Sequence, residues 1–366
     1  MTRRPLHAII AGGGTGGHLF PGIAIAQAIQ QKNPESRIRF IGSGRPLEKK
    51  VLSEAGFPLT VIPVEGIKGR GRWRQAKVVC QLPFALLKSV FVLIRRWPHV
   101  VIGVGGYSAG PVVLAARLLG RKAVLHEQNR LPGVTTRLLA PLAHAVCISF
   151  ADTLLKVPKE VLHLTGNPIR HSLLGSEWAD KKANNEATVV VLGGSQGAHG
   201  INLAMMEAAK KLSAIGVRGV RVIHQTGEAD VAMVSEAYAT NGVSHDVRPF
   251  FTDMRPLYHQ ADLLVCRAGA TTVAEITAVG KPAIFIPFPA AADDHQRLNA
   301  EALVAADAAE MILEKDLNGQ ILADRIMALL SNKDRLEDMG KRAALQGYPN
   351  AAEAVADVCY RLVYGG

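Results

Sequence analysis

Short apolar runs recur along the chain, each ending in glycines or a polar cluster and followed by a stretch whose apolar positions repeat at helical spacing. The first, His7-Ala-Ile-Ile-Ala11, breaks into Gly12-Gly-Gly-Thr-Gly-Gly-His18 and then into a helical pattern from Leu19 to Ile29. An apolar run bounded by glycines predicts a buried strand, and strands that alternate with helices predict a parallel α/β sheet. Further strands are expected at Arg37–Gly42, Val61–Val64, His99–Val104, Ala123–Asn129, Ala145–Ser149 and Val161–Thr165. A polar run from Glu177 to Glu186 then reads as a linker, and the opening motif returns as Thr188-Val-Val-Val-Leu192 running into Gly193-Gly-Ser-Gln-Gly197. Strands follow at Val220–His224, Val247–Phe251, Ala261–Cys266 and Lys281–Pro287, and the remainder is helical. Two strand, glycine-loop and helix units opening two halves of a chain predict two Rossmann-like domains with parallel sheets facing across a cleft. With 366 residues the length accommodates both.

A glycine turn that feeds a helix is a place where anions bind, because glycine admits a close ligand and the first helical N–H groups are unpaired. Gly12, Gly14 and Gly17 also satisfy the dinucleotide pattern G-x-G-x-x-G. That pattern calls for an acidic residue closing the second strand, whereas Ser43-Gly44-Arg45 stands there, which weakens a nicotinamide reading and leaves only a 2′-phosphate for Arg45 to meet. A turn that merely packs helix on strand remains the plain alternative. In the second half, Gly269 predicts a turn after Cys266, with Thr271 and Thr272 able to cap the helix and Glu275 on its first turns.

Composition changes this picture in two ways. Hydrophobic residues make up 48% and aromatics only 5%, so the cores should be aliphatic and disorder is excluded. Charge is uneven: residues 1–165 hold 23 Lys and Arg against 7 Asp and Glu, and no acidic residue occurs between Glu65 and Glu127. Such a stretch points to an anionic surface or ligand. Within it, Trp73–Trp97 has a helical pattern that mixes cations with aliphatic side chains, and Lys88 interrupts its longest apolar piece before the ~20 residues a membrane crossing needs. Either it packs one face on the sheet with its lysines in water, or Lys68, Arg70, Arg72, Trp73, Arg74, Lys77, Phe84 and Lys88 form a patch for an anionic membrane surface. Nucleic acid is disfavoured as a partner, since stacking aromatics are not interleaved with the charge. The four cysteines, Cys80, Cys147, Cys266 and Cys359, show no metal spacing and read as buried thiols. The N-terminus lacks a signal-peptide pattern, which predicts a protein kept on the cytoplasmic side.

Seven motifs then fall in one order: Gly13-Gly-Thr-Gly-Gly-His18, Gly105-Gly-Tyr-Ser-Ala-Gly-Pro111, His126-Glu-Gln-Asn129, Gly166-Asn-Pro-Ile-Arg170, Gly193-Gly-Ser-Gln-Gly197, Cys266-Arg-Ala-Gly-Ala-Thr-Thr-Val-Ala-Glu275 and Asp294-His-Gln-Arg-Leu-Asn299. Together they resemble the MurG family of bacterial glycosyltransferases over nearly the whole chain. The resemblance implies a GT-B fold: residues 1–170 as an acceptor- and membrane-binding domain, 187–345 as the UDP-GlcNAc domain, and 346–366 as a helix packing back on the first. It implies an inverting transfer of GlcNAc from UDP-GlcNAc to lipid I, on the cytoplasmic face of the inner membrane, with other cell-wall synthesis proteins as neighbours.

By the same resemblance the loop at Ser195 and the helix after Gly269 hold the diphosphate, with Ala270, Thr271, Thr272, Val273 and Ala274 contributing backbone. Glu275 takes the ribose, the backbone at Phe251 the uracil, and Gln296 and Asn299 the sugar hydroxyls, while Thr15, Gly16, Gly17, Asn129 and Arg170 are further donor positions. Gly14, His18, Tyr107 and Glu127 fall to the acceptor. Inversion requires a base for the attacking hydroxyl and stabilisation of the leaving diphosphate. His18 is the preferred base, since an unperturbed imidazole titrates at about pH 6.5, with Glu127 as rival or as the group that orients it, and a purely structural His18 as the plain alternative. No cofactor is expected, and no D-x-D metal site stands at a suitable strand end, Asp293-Asp294 being the nearest acidic pair. A UDP-GlcNAc 2-epimerase, another transferase of this fold without a lipid acceptor, a non-catalytic nucleotide-sugar or nucleic-acid binder, and an NADP oxidoreductase remain as alternatives.

Overall fold

The computed structural model describes residues 3–62, 64, 72–170, 173, 186–194, 196–213 and 219–365, the side chains of 72–80 excepted. The chain divides into two compact units, residues 1–170 with 348–366, and residues 171–347. The expected linker lies outside the described residues except for Glu186.

In the first unit, β1 (His7–Ala11), β2 (Arg37–Gly42), β3 (Leu59–Val61), β4 (Val100–Gly103), β5 (Lys122–Glu127), β6 (Ala145–Ile148) and β7 (Leu162–Leu164) form one parallel sheet ordered β3-β2-β1-β4-β5-β6-β7. Ile9, Ile10, Val101, Ile102 and Val124 are fully or almost fully buried, because helices cover both faces and a strand between two helical layers has no wet side. The order reverses direction between β1 and β4, which pair from Ala8 opposite Val100 to Ala11 opposite Gly103. The loops that follow these two strands therefore splay apart at the topological switch point, where open α/β sheets take their ligands. Helix α1 (Gly16–Lys32) starts directly after the first loop and buries Leu19, Ile25 and Ile29. The last helix of the chain, α13 (Ala351–Tyr364), shares that core through Val355, Val358, Cys359 and Tyr360. At its rim Asp357 meets Arg3 at 2.8 Å and Lys32 at 3.0 Å. Side chains of this size stabilise by about 1.5–3 kcal/mol each when fully buried, so the chain terminus is a structural part of the first unit.

The second unit repeats the plan with β8 (Ala187–Leu192), β9 (Val220–Gln225), β10 (Ser244–Arg248), β11 (Leu263–Cys266), β12 (Ala283–Phe285) and β13 (Glu310–Met311), a parallel sheet ordered β10-β9-β8-β11-β12-β13. Its switch point lies between β8 and β11, which pair from Val189 opposite Leu263 to Leu192 opposite Cys266. Two expected strands are displaced. The third pairs at Leu59–Val61 rather than Val61–Val64. The tenth runs over Ser244–Arg248 rather than Val247–Phe251, since Pro249 has no N–H to give the ladder.

Helix α3 (Arg72–Arg96) covers the stretch read as basic and aliphatic. Ala85, Ser89 and Leu93 point inward and are fully buried, which satisfies the packing reading for that face. Phe84, Leu87, Phe91 and Ile94 recur at the same helical spacing on the outside, with Phe84 70% and Phe91 64% exposed. Lys88 is exposed beside them, whereas Lys68 and Arg70, and the side chains of Arg72, Trp73, Arg74 and Lys77, lie outside the described residues. No helix among the described residues is long and apolar enough to cross a membrane. Cys147, Cys266 and Cys359 are buried free thiols, and burial pushes the Cys147 thiol up to about 12.

Candidate active site

The first glycine loop is held by a residue that the sequence pattern does not mark. Glu48, 1% exposed on α2 (Pro46–Glu54), accepts from the Gly14 N–H at 2.6 Å and the Ser43 hydroxyl at 2.8 Å through Oε1, and from the Gly44 N–H at 2.7 Å through Oε2. The Gly12 N–H continues the ladder to the Ile41 carbonyl. Two amides of the loop that was expected to receive an external anion are thus satisfied within the chain, one by a carboxylate already in place. Arg45, the remaining hope of a 2′-phosphate site, donates to the Gly14 carbonyl at 2.8 Å.

Thr15 stands at the N-cap position of α1 without a side-chain cap bond, Gly16 and Gly17 form its first turn, and His18 follows. The imidazole lies against the loop after β4: a Cβ at Gly105, whose φ is +94°, would come within 2.7 Å of His18 Nδ1. Only glycine fits there, on both conformational and steric grounds. His18 Nδ1 also faces Gln128 Oε1 at 3.2 Å. Gln128 gives its amide hydrogens to the Val104 carbonyl at 2.7 Å and to His126 Nδ1 at 3.2 Å, and His126 Nε2 donates to the Gly166 carbonyl at 3.1 Å. Burial pushes the His126 imidazole down to about 4, partly offset by that carbonyl.

Glu127 is buried at the end of β5, and its carboxylate faces the loop after that strand: Oε1 accepts from the Asn129 N–H at 3.1 Å and Oε2 from the Gly133 N–H at 3.1 Å. Asn129 also gives its side-chain amide to Glu127 Oε1 at 3.4 Å. The group that meets His18 Nδ1 is Gln128, not Glu127. Tyr107 is exposed, and the Arg170 guanidinium stacks over the Phe20 ring at 5.2 Å. Sequence reasoning missed Asn167, whose side-chain oxygen and nitrogen are both buried without a partner among the described residues. A buried orphan amide is the usual mark of a water or ligand that completes it.

In the second unit α9 (Ala270–Val279) begins at Gly269, and its head carries no side-chain cap bond. Thr271 and Thr272, expected to cap, do not: the Thr271 hydroxyl is buried without a partner among the described residues. Glu275, expected as capping support, instead takes a hydrogen bond from the buried Tyr258 hydroxyl at 2.7 Å. Val273 is buried in the core, and Ala270 and Ala274 are half-buried along the helix head. Phe251 gives its N–H to Gln225 Oε1 at 3.0 Å, and Gln225 holds the Gly194 carbonyl through its own amide at 2.9 Å. That pair ties the second glycine loop to the Phe251 turn; Ser195 lies outside the described residues. Asn299 is fully buried and donates to the Ala268 carbonyl at 3.3 Å, while Gln296 accepts the Phe288 N–H at 3.0 Å. Arg267 bonds the Ile286 and Pro287 carbonyls and the Glu314 carboxylate, tying the β11 and β12 ends together. Asp293 and Asp294, just before α10 (His295–Val304), both adopt left-handed backbone, φ 56° and 54°. Two such residues in a row are strained, and strain of this kind collects at ligand sites.

Comparison with known proteins agrees with the two-unit plan. Residues 8–148 match the glycosyltransferase family 28 N-terminal domain and residues 188–355 the family 28 C-terminal domain. The crystal structure of MurG from Acinetobacter baumannii superposes with a TM-score of 0.79 at 30% identity, over 97% of this chain and 99% of that one. A UDP-GlcNAc 2-epimerase from Neisseria meningitidis superposes with a TM-score of 0.69 but 14% identity, over 97% and 99% of the two chains, a likeness of fold alone. The two Rossmann-like domains are those of a GT-B fold. A curated relative from Syntrophus aciditrophicus, named UDP-N-acetylglucosamine--N-acetylmuramyl-(pentapeptide) pyrophosphoryl-undecaprenol N-acetylglucosamine transferase, is 46% identical over 98% of this chain and 99% of its own length. On this full-length identity the chain belongs to the MurG family of glycosyltransferases.

Proposed function

We infer that this chain is an inverting hexosyltransferase that moves GlcNAc from UDP-GlcNAc to the C4 hydroxyl of MurNAc in lipid I, giving lipid II for peptidoglycan. The observation that carries the reading is 46% identity to a named transferase across nearly the whole length, whereas the Neisseria meningitidis 2-epimerase, at 14% identity, is alike in fold alone. The site supplies the chemistry. His18 at the head of α1 takes the proton of the acceptor hydroxyl as its oxygen bonds to the anomeric carbon and the carbon–diphosphate bond breaks. The uncapped head of α9, with Thr271, stabilises the charge that appears on the leaving UDP. Glu275 takes the ribose, the Phe251 turn the uracil, and Gln296 and Asn299 the sugar, with Ser195 beside the diphosphate. Thr15, Gly16, Gly17, Asn129 and Arg170 complete the donor site, and Gly14, Tyr107 and Glu127 the acceptor side.

The outward stripe of Phe84, Leu87, Phe91 and Ile94 beside Lys88 is of the kind that enters a headgroup layer, and the acid-free cationic stretch around it favours anionic lipid. This supports a peripheral protein on the cytoplasmic face of the inner membrane, serving cell-wall growth, shape and division. Phe84→Glu with Phe91→Glu should release it from anionic vesicles in a sedimentation assay, and unchanged binding would reject the patch. The central test is transfer of labelled GlcNAc from UDP-GlcNAc to a lipid I analogue with a shortened prenyl chain, with and without EDTA. Transfer that survives chelation supports the reading; UDP released with no sugar on the lipid rejects the acceptor.

A further inference from the structure

We propose that Gln128 is a positioning residue for the transfer: it fixes His18 in the tautomer that carries its hydrogen on Nδ1, so that Nε2 is the nitrogen holding the lone pair. The argument follows hydrogen-bond polarity outward from a backbone carbonyl. The Gly166 carbonyl can only accept, so His126 Nε2, 3.1 Å away, bears hydrogen. His126 is fully buried and stays neutral, burial holding its imidazole down at about 4, so its Nδ1 is an acceptor. The Gln128 group 3.2 Å from that nitrogen must therefore be the amide NH₂, and its second hydrogen goes to the Val104 carbonyl at 2.7 Å. With both hydrogens directed away, the atom turned to His18 at 3.2 Å is the amide oxygen, which can only accept. His18 Nδ1 is left as the donor.

The Gly105 backbone packs against the ring in the orientation that turns Nδ1 to Gln128. The backbone of Gly105 lies so close that one added carbon would sit 2.7 Å from Nδ1 and 2.8 Å from Cε1. Val104 and Gly105 follow β4, His126 and Gln128 lie at the end of β5, and Gly166 follows β7, so three strand ends of one sheet determine the proton position on a residue of α1. A general base oriented through its other ring nitrogen is a recurrent device, and here a neutral amide does the work that a carboxylate does elsewhere. A neutral partner stabilises the imidazolium less than a carboxylate would. His126 is the titratable group whose charge couples to His18 across this network, and the Glu127 carboxylate faces the Asn129–Gly133 loop.

This inference rests on the reading of His18 as base, and its test separates the two. In protein with ¹⁵N-labelled histidine, the His18 ring should show hydrogen on Nδ1 in the wild type and a tautomer mixture in Gln128→Met. The same variant should lose kcat by about tenfold to a hundredfold, the range for removing such a supporting partner, with KM for UDP-GlcNAc unchanged. Its acid limb in the kcat–pH profile should move to lower pH, because the lost amide oxygen favoured the imidazolium; a residue that only packs would leave that limb where it is. Hydrogen on Nε2 in the wild type overturns the proposal, as does an unshifted acid limb with full kcat in the variant. Full activity in His18→Ala removes the base reading instead, and the wild-type ring spectrum decides the tautomer without any turnover.

Discussion

Each unit contains a strand that breaks at glycine into a helix, after β1 in the first and after β11 in the second, and the two turns are used differently. After β1 the loop is closed from within: Glu48 occupies the Gly14 and Gly44 amides, and the hydrogen-bonded groups converge on an imidazole. After β11 the head of α9 carries no side-chain cap, and a threonine hydroxyl is buried beside it without a partner among the described residues. On the proposed reading one edge, its Gly12 and Gly14 amides bonded within the chain, presents a proton acceptor, and the other offers its uncapped helix head to an anion. A glycine turn is therefore not a function. What meets the turn decides it, a glutamate from the next helix in one unit, and Gln225 and Asn299 holding the turns from behind in the other.

The largest effect should come from removing the acceptor itself. His18→Ala should lower kcat by about 10²–10⁴-fold, the usual worth of a positioned base, and leave UDP-GlcNAc affinity nearly unchanged. A comparable loss in both quantities, read by steady-state kinetics and calorimetric titration, would erase the division of labour between the two edges.

Acid should next expose a likeness beneath the contrast. Each unit buries one neutral imidazole, His126 held down at about 4 and His224 at about 3, in both cases chiefly by burial. Below the unfolded value near 6.5 the unfolded chain binds protons that the native state refuses, so stability rises with pH across this window and is lost as pH falls. Between pH 6.5 and 4.5 each residue should cost about 2 kcal/mol of stability. Calorimetry at the two pH values, on wild type, His126→Phe and His224→Phe, should show each substitution flattening the acid sensitivity; an unaltered slope in both would refute it.

How much of this the sequence disclosed depends on how far apart the partners lie. Strands such as β2 and β5 were legible because a parallel sheet leaves them no wet face, and the glycine loops because turns need positive φ. The outward apolar side of α3 was half legible: composition marked the helix, but only the fold separates Leu93 inside from Phe91 outside. Glu48 carried no local signal, and Gln128 was marked only as one of the polar cluster His126–Asn129 at a strand end, with nothing to pair it with His18. Their targets, Gly14 and His18, lie 34 and 110 residues away, and a glutamate early in a helix reads as solvated charge. Tyr258 was equally silent, its hydroxyl meeting Glu275 from 17 residues upstream.

Two of the buried glutamates, Glu48 and Glu275, give the finest discrimination between the edges. Glu48→Gln keeps the shape but offers a single acceptor oxygen where three donors converge, and it turns an NH₂ toward at least one N–H. Losing a charge-assisted bond of this kind costs about 1.5–3 kcal/mol, so the variant should melt earlier and lose kcat through a displaced first loop, with a smaller loss of UDP-GlcNAc affinity than Glu275→Gln shows. Glu275→Gln is milder, since an amide oxygen still accepts from Tyr258 and an amide can still meet a hydroxyl. An ordinary neutral hydrogen bond is worth about 1 kcal/mol, which predicts roughly fivefold weaker UDP-GlcNAc binding with an unchanged melting temperature and kcat. The two variants should thus separate cleanly, one in stability and turnover, the other in donor affinity alone. If Glu48→Gln weakened donor binding as much as Glu275→Gln, the first loop would carry as much of the donor as the second edge does, and the contrast between a self-satisfied edge and a receptive one would fail.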